Sequence, residues 1–309
     1  MNLLSMKYAV VIAAEGSINK AAKKLYIDQP NLSRSLRELE TSLGVTLFER
    51  SAKGMKLTPE GEKFIGCART ILSQVDAMES MFSHGGAARM HFSVSVPRAS
   101  YISEAFAAFT KHLPEGEFEV FYKETNAMRA IRNILEADYR LGIVRYAESY
   151  DVYYKEMLEE KGLVGELVTE FRYVPVVGKN SPLAAKGEIT FADLEELTEI
   201  AHADPYVPSL PFSEVKKEEL PDVGRRIFVF ERGSQFDLLS ENPRTFMWVS
   251  PMPRRLLDIH GLVQLSCPEN RRVYKDMMIY RRDYHLSEWD KAFISELCRV
   301  KREVFDDTG

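Results

Sequence analysis

Residues 17–50 constrain the fold of this chain more than any other stretch, because they predict two short helices joined by a tight turn and followed by a wing. Ser17 occupies the N-cap position of the first helix, and apolar residues follow it at helical spacing. This helix is expected to end near Tyr26. Its predicted buried stripe is Ile18, Ala21, Ala22 and Leu25.

The second helix has a start signal and an end signal. Asp28 can cap it, Pro30 falls in its first turn, where a missing N–H costs little, and Gly44 is placed to end it. Its predicted buried stripe is Leu32, Leu36, Leu39 and Leu43. The other face is polar toward the N-terminal half, which is the part that a helix-turn-helix protein inserts into the major groove. The residues of the helix-turn-helix that are predicted to contact DNA are Ser17 of the first helix and Gln29, Pro30, Asn31, Ser33, Arg34 and Arg37 of the second.

The stretch GSINKAAKKLYIDQPNLSRSLRELETSLGVTLFER, together with LTPEGEKF at residues 57–64, resembles the N-terminal domain of LysR-type transcriptional regulators. The resemblance rests on the Ala-Ala pair of the first helix, the QPxxS start of the second, its LE-x-x-LG exit, the LF-x-R wing and the LTxxG entry to a linker helix. It covers roughly the first 85 residues, a usual size for such a domain. It implies a winged helix-turn-helix domain over residues 1–58 and double-stranded promoter DNA as a partner.

Three positions in this region carry more specific expectations. Asn31 stands where the family usually has a small apolar residue. It is either a base-reading contact to adenine or a phosphate contact or solvated side chain. Arg50 and Lys53 lie on the predicted wing, directly after the recognition helix, and are candidate phosphate contacts. The lysines of the first helix are interpreted as a solvated face.

The charge distribution agrees with a DNA-binding N-terminal part. Residues 1–90 hold 12 Lys or Arg against 9 Asp or Glu, whereas residues 91–309 hold 29 against 37. Because phosphate contacts need local positive charge rather than a high overall pI, such a chain can approach DNA with its N-terminal part alone.

A different apolar pattern begins after Thr58, which can cap a further helix whose polar first turn includes Gly61 and Glu62. Phe64, Ala68, Ile71, Val75, Met78 and Phe82 are spaced by alternating four and three residues, which is the heptad pattern of a two-stranded coiled coil. Residues 59–87 are therefore predicted to form a linker helix that makes a homodimer, with a tetramer as the larger alternative. The other interpretation is a single helix packed on its own domain.

From residue 88 to 309 predicted strands and helices alternate, which favours parallel sheets with helices on their faces. The order resembles the two linked α/β lobes of the periplasmic-binding-protein kind that form the LysR effector domain. The first lobe is expected at about 91–165 and 270–309, and the second at about 166–269. The predicted fold class is thus α/β, with an N-terminal winged helix-turn-helix domain dominated by α-helix.

The resemblance places a small-molecule effector between the lobes, near helix N-termini. Arg98 and Arg145 favour an anionic effector, although surface arginine is the simpler interpretation. Ser100 matches a hydroxyl position of the family and is also a possible N-cap. Aromatic residues at the cleft either bind a ring or belong to the core. The full set of candidate effector-binding residues is Arg98, Ser100, Tyr101, Thr125, Asn126, Arg145, Asp204, Ser234 and Trp248.

No catalytic residue, cofactor or metal site is predicted. The six histidines have no ligand-type spacing, and the three cysteines lie far apart, which suits a reducing cytoplasm. The N-terminal stretch lacks a charged signal-peptide start, and no run reaches transmembrane length. The expected protein is a cytoplasmic regulator that is not an enzyme, with RNA polymerase as a further candidate partner. The alternative is an enzyme or ligand-binding protein of periplasmic-binding-protein-like fold with a fused winged-helix head.

Overall fold

The structure is a computed structural model that describes residues 2–51, 54–82, 90–137, 139–202 and 223–305. The chain divides into two compact units, Met1–Arg89 and Met90–Gly309. The first unit contains three short helices, a hairpin and a long helix. In order they are α1 (Leu3–Glu15), α2 (Ile18–Leu25), α3 (Gln29–Leu43), β1 (Phe48–Ser51), β2 (Gly54–Leu57) and α4 (Pro59–Phe82).

Local signals in the sequence explain where the helices of the first unit begin and end. Asn2 and Ser5 form a reciprocal capping box at the start of α1. Helix α3 ends at Gly44, whose left-handed φ of 70° suits a residue without a side chain. The helices and the hairpin enclose one apolar core, which includes Ile12, Ile18, Ala21, Leu32, Leu36, Leu39, Leu47 and Ile65.

The second unit begins with the elements of a first lobe. They are β3 (Met90–Val96), α5 (Ser100–Phe109), β4 (Phe118–Glu124), α6 (Ala127–Glu136), β5 (Leu141–Ala147), α7 (Asp151–Glu160) and β6 (Leu163–Arg172). The chain returns to this lobe at its end with β12 (Val273–Arg281) and α11 (Glu288–Phe305). The strand order is β4-β3-β5-β12-β6; β3, β4 and β5 run parallel, and β12 is antiparallel to both of its neighbours.

The second lobe is a smaller sheet with short helices. Its elements are β7 (Val174–Gly178), α8 (Phe191–Leu194), β8 (Thr198–His202), β9 (Arg226–Val229), α9 (Gly233–Glu241), β10 (Thr245–Val249), α10 (Arg254–Ile259) and β11 (Leu262–Gln264). The strand order is β11-β7-β10-β8-β9, with β8 parallel to β9 and β10 and with β7 antiparallel to its neighbours. Both sheets are therefore mixed, and only β4-β3-β5 in the first sheet and β10-β8-β9 in the second follow the parallel arrangement that the sequence predicts.

The boundary between the lobes differs from the expected one. The sequence predicts a single strand over residues 167–178 that opens the second lobe, but β6 pairs with β12 along its whole length and so belongs to the first sheet. The chain crosses between the sheets at Tyr173, and β7 starts one residue later. The return crossing lies beside it, because Asn270 donates a hydrogen bond from Nδ2 to the Tyr173 carbonyl at 2.8 Å.

The closing helix packs where the family resemblance places it. Helix α11 buries Phe293, Leu297 and Val300 in the first-lobe core, together with Phe92 of β3 and Ile102 of α5. Burying large apolar side chains contributes roughly 1.5–3 kcal/mol each, so this contact holds the end of the chain on the first lobe.

Candidate functional site

The helix-turn-helix is held in place by its caps and its turn. The Ser17 hydroxyl accepts a hydrogen bond from the Lys20 amide at 3.5 Å, which confirms its N-cap position at the start of α2. Helix α2 ends at Tyr26, which has a left-handed φ of 55°. The Ile27 amide then donates to the Ala22 carbonyl at 3.1 Å, so the chain reverses within a few residues before α3 begins.

Helix α3 presents a polar face opposite its buried stripe. Leu32, Leu36 and Leu39 are at most 6% exposed, while Leu43 is half-buried. Asp28 occupies the N-cap position but makes no side-chain capping hydrogen bond. The exposed residues are Gln29, Pro30, Asn31, Arg34 and Arg37.

Ser33 is the exception among the predicted DNA-contacting residues of α3. It is only 6% exposed, because it follows Leu32 on the side of the helix that faces the core. The prediction of a DNA contact through its hydroxyl is therefore not supported by the exposed face of α3. Ser17 is half-buried at its cap.

Hydrogen bonds from backbone amides of the wing tie it to the rest of the domain. Glu40 of α3 accepts from the amides of Leu47 at 2.7 Å and Phe48 at 3.2 Å, and the Met55 amide donates to the Gly16 carbonyl at 2.8 Å. The backbone of Arg50 lies in β1, opposite Met55 of β2. Lys53, also predicted to contact phosphate, lies outside the described residues.

The linker helix begins against the wing. The Thr58 hydroxyl accepts from the Gly61 amide at 2.9 Å, which is the N-cap that the sequence predicts. Gly61 is required by close approach, because a Cβ atom at this position would lie 2.1 Å from the Leu47 carbonyl oxygen. The LTxxG motif therefore fixes the junction between β2 and α4.

The residues of the predicted heptad seam on α4 differ in how deeply they are buried in the first unit. Ala68 is 1% exposed and Phe64 packs on the core of the first unit, so this part of the seam follows the alternative of a helix packed on its own domain. Ile71 is 39% exposed and Val75 is half-buried. The predicted dimer seam thus begins at Ile71. The side chains of Met78 and Phe82 lie outside the part of the chain that the structure describes.

In the second unit a cavity lies at the carboxyl ends of the central strands of both lobes. The space between its walls is about 780 Å³, a volume that includes open solvent. First-lobe lining residues include Arg98, Ser100, Thr125, Asn126 and Arg145, and second-lobe residues include His202, Arg232, Gln235, Trp248 and Ser250.

The first-lobe wall consists of two strand-to-helix turns. Ser100 is the first residue of α5 and is 5% exposed; the N-cap is Ala99, so the capping role considered for Ser100 is wrong. Asn126 caps α6 by accepting from the Arg129 amide at 2.9 Å. Arg98 reaches across to the second lobe, where its Nη2 donates to the Phe230 carbonyl at 2.6 Å.

Beneath this wall lies a buried ionic cluster of Arg145, Asp276 and Tyr101. Arg145 donates from Nε and Nη2 to the two Asp276 oxygens at 2.7 and 2.6 Å, and the Tyr101 hydroxyl donates to the same carboxylate at 2.5 Å. Burial alone would lower the pKa of Arg145, but the Asp276 carboxylate raises it well above its ordinary value. Burial, and then Asp276, raise the pKa of Tyr101 well above its ordinary value.

This cluster changes the interpretation of two predicted effector contacts. Tyr101 is fully buried, does not line the cavity and contacts Asp276, so the prediction of a direct effector contact is wrong. Arg145 lines the cavity, but its charge is neutralised by Asp276. It therefore supports the shape of the site rather than the attraction of an anion.

The second-lobe wall is formed by β8, β10 and the start of α9. Trp248 lines the cavity and also packs edge-on against Phe246 in the core. Ser234 is exposed, bonds to Glu231 and is absent from the lining; its neighbour Gln235, which is 3% exposed, faces the cavity instead. Asp204 lies outside the described residues.

Arg232 is the functional side chain that the sequence analysis did not identify. It lines the cavity, donates from Nη1 to Glu124 at 2.9 Å and donates from Nη2 to the Ser100 hydroxyl at 3.1 Å. Both partners belong to the first lobe, 108 and 132 residues earlier in the chain, and no local pattern links them to Arg232. A local signal that could have identified Arg232 is its position directly before Gly233 and the N-terminus of α9.

Two further properties concern ligands and membranes. Within the described residues, no group of three or more His, Cys, Asp or Glu side chains is arranged to hold a metal ion. The same part of the chain has no helix with the length and apolar character needed to span a membrane.

The chain thus combines a winged helix-turn-helix unit with a two-lobed α/β unit that contains a cavity. Residues 3–62 match the model described as "Bacterial regulatory helix-turn-helix protein, lysR family". This match covers the helix-turn-helix part of the chain, where the sequence motifs predict a resemblance to LysR-type regulators.

The relatives agree with this assignment. The uncharacterized HTH-type transcriptional regulator YnfL of Escherichia coli is 28% identical over 63% of both chains, and the HTH-type transcriptional regulator BenM of Acinetobacter baylyi is 47% identical over 26% of this chain and 27% of BenM. The chain thus spans less than two thirds of these curated relatives. A full-length OxyR variant from Pseudomonas aeruginosa has the same fold, with a TM-score of 0.59 at 15% identity over 99% of this chain and 96% of OxyR.

Proposed function

We propose that this chain is a LysR-type transcriptional regulator whose promoter contacts are modulated by a small molecule bound between the two α/β lobes. The exposed polar face of α3 is the observation that supports DNA binding most strongly. Gln29, Asn31, Arg34 and Arg37 are exposed on a helix whose opposite face is buried in the core of the domain. Helix and wing are held together through Glu40, so both can meet one stretch of duplex.

The other parts of the proposal follow from the same arrangement. Helix α4 makes a homodimer through Ile71 and the residues after it, and two recognition helices then meet half-sites one helical turn or its multiples apart. The cavity takes the effector, and Ser100, Thr125, Asn126, Arg98 and Trp248 are its proposed contacts. We place the protein in the cytoplasm, with RNA polymerase as a candidate partner and with tetramers as a larger assembly.

The relatives favour regulation over the alternatives of a fused enzyme or ligand-binding protein, because YnfL and BenM are both named transcriptional regulators. The cavity also agrees with a binding role. It is lined by helix N-termini and polar side chains that suit recognition of a small polar molecule.

Arginine substitutions on the recognition helix test DNA binding. Arg34→Ala and Arg37→Ala are each expected to weaken specific binding by about 1–3 kcal/mol, because each removes a charged donor from the groove. Arg50→Ala is expected to weaken binding to specific and scrambled duplexes alike and to reduce the slope of affinity against salt concentration by about one. Binding isotherms on genomic fragments selected by the purified protein measure all three.

Arg129→Ala is the matched control, since it removes the same charge from an exposed position on α6 in the other unit. It is expected to bind DNA like the wild type. Unchanged affinity in all of the α3 and wing variants would remove the DNA-binding assignment of this face.

A further inference from the structure

The charged residues that line the cavity have one sign. Among its described lining residues the formally charged ones are Arg98, Arg145 and Arg232, and none is Asp or Glu. Two of these arginines meet a carboxylate that lies outside the lining: Asp276 pairs with Arg145, and Glu124 pairs with Arg232. The two pairs differ in burial and in geometry, and this difference decides which of them can open.

The Arg145–Asp276 ion pair is buried and bidentate. Its side chains are 5% and 0% exposed, the guanidinium binds both carboxylate oxygens, and Tyr101 donates a third hydrogen bond. Breaking such a pair leaves two charges buried without partners, which is strongly unfavourable. This pair is therefore a fixed part of the cavity wall.

The Arg232–Glu124 pair is exchangeable. One guanidinium nitrogen contacts one carboxylate oxygen at 2.9 Å, and the side chains are 14% and 18% exposed beside the cavity. Water or a ligand can thus reach both groups. The pair also joins the lobes, because Glu124 ends β4 of the first lobe and Arg232 directly precedes α9 of the second.

Both partners are held ready for this contact. The Tyr122 hydroxyl donates to the same Glu124 oxygen at 3.2 Å, and the Arg232 guanidinium lies 5.5 Å from the centre of the Phe236 ring. A third bond, from Arg232 to the Ser100 hydroxyl, places the guanidinium directly in front of the start of α5. A ligand carboxylate at this point would meet the same donors that Glu124 and Ser100 now occupy.

An independent observation on the same wall indicates a polar ligand. Gln235 is 3% exposed and lines the cavity, and within the described part of the chain its Oε1 atom has no hydrogen-bond partner. Buried amide groups are nearly always hydrogen-bonded, so this acceptor oxygen requires a donor from water or from a ligand group other than a carboxylate. It lies three residues after Arg232, within reach of one small molecule.

Resting on the proposed regulatory function, we propose that Glu124 is an internal competitor that holds Arg232 when no effector is bound. The effector is a small molecule with a carboxylate group, and that group displaces Glu124 from Arg232. A direct contact between the lobes is then replaced by a contact through the ligand. We call the Glu124–Arg232 ion pair the latch. The ligand has different affinities for the state in which the latch is closed and the state in which it is open, which is the condition for it to shift their populations.

Acetate tests the exchange without knowledge of the natural effector. Glu124→Gln removes the internal carboxylate, so the full-length variant is expected to bind acetate about tenfold more tightly than the wild type. This factor corresponds to a Glu124–Arg232 ion pair that is closed in about 90% of the wild-type molecules. The measurement is the midpoint of thermal unfolding against acetate concentration, with sodium chloride at equal ionic strength as the reference salt. Glu124→Asp keeps the charge but shortens the reach, and it is expected to change the response in the same direction.

Two further variants locate the effect. Glu104→Gln is the matched control, because Glu104 pairs with Arg255 across the lobes at 3.3 Å, but neither residue lines the cavity and Arg255 is 59% exposed. It is expected to respond to acetate like the wild type. Adding Arg232→Gln to Glu124→Gln is expected to abolish the gain.

The proposal is overturned if Glu124→Gln and the wild type respond equally to acetate, or if the gain persists without Arg232. Loss of the gain on adding Arg232→Gln supports it. These titrations contain no DNA, and the binding isotherms of the α3 variants contain no acetate. Failure of the latch is therefore distinguishable from failure of the regulatory function.

Discussion

Asp276→Asn is expected to lower the free energy of unfolding of the Met90–Gly309 unit by about 3–5 kcal/mol, the usual loss when one partner of a buried ion pair is removed. Arg145 would keep its charge at a position that is 5% exposed, and Tyr101 would lose its charged acceptor. The loss is between about a fifth and the whole of a typical domain stability of roughly 5–15 kcal/mol.

Denaturation followed by tryptophan fluorescence measures this loss in the correct unit, because both tryptophans of the chain, Trp248 and Trp289, lie in Met90–Gly309. Asp283→Asn changes the same chemical group at an exposed turn and is expected to cost less than about 0.5 kcal/mol. A combined replacement by Tyr101→Phe, Arg145→Met and Asp276→Leu is expected to recover much of the stability, since apolar groups of similar volume need no partner. A loss below about 1 kcal/mol for Asp276→Asn would contradict the role given to the cluster.

Ile71→Glu and Val75→Glu are each expected to dissociate the proposed dimer. Every dimer would contain two facing carboxylates in an apolar seam, and a buried uncompensated charge costs about 3 kcal/mol or more, which corresponds to at least about a hundredfold weaker association. Neither residue is fully buried within its own unit, so the fold of the monomer is expected to persist. Sedimentation at micromolar concentration measures the change in mass.

Lys63→Glu places an acid on the same helix outside the heptad seam and serves as the control. It is expected to remain dimeric. Tryptophan fluorescence should be unchanged in all three variants, because the tryptophans report on the other unit. A native oligomer in both seam variants would mean that α4 is not the dimer interface.

The first unit was predicted almost completely from its sequence. The Ser17 cap, the end of α2 at Tyr26, the buried leucines of α3 and the cap at Thr58 are all present. Each of these features depends on residues within a few positions of each other, and the chain itself brings such residues together. Three details of α3 differed: Asp28 makes no capping bond, Leu43 is only half-buried, and Ser33 is buried. Periodicity indicates the two faces of a helix but not how far the core extends around it.

The second unit was predicted in its order of elements but not in its boundaries. The stretch at 167–178 has continuous strand character, and only its pairing with β12 shows that the part up to Arg172 belongs to the first sheet. Sheet pairing joins residues far apart in the chain, so no local signal marked the crossing at Tyr173. No helix was predicted from the sequence at residues 151–160, where the structure has α7. The buried side chains of this helix pack on β5 and β6, so its burial also depends on tertiary contacts.

The sequence by itself determined the lysR-type helix-turn-helix with its exposed arginines and the turns that form the first wall of the cavity. The tertiary structure alone decided which of the candidate residues face that cavity and with what charge. It buried Tyr101, neutralised Arg145 with Asp276 and brought Arg232 to Glu124, across separations of 131 residues in one pair and 108 in the other. Helical periodicity and capping are interactions between neighbours along the chain, whereas these ion pairs exist only because the chain crosses twice between two sheets.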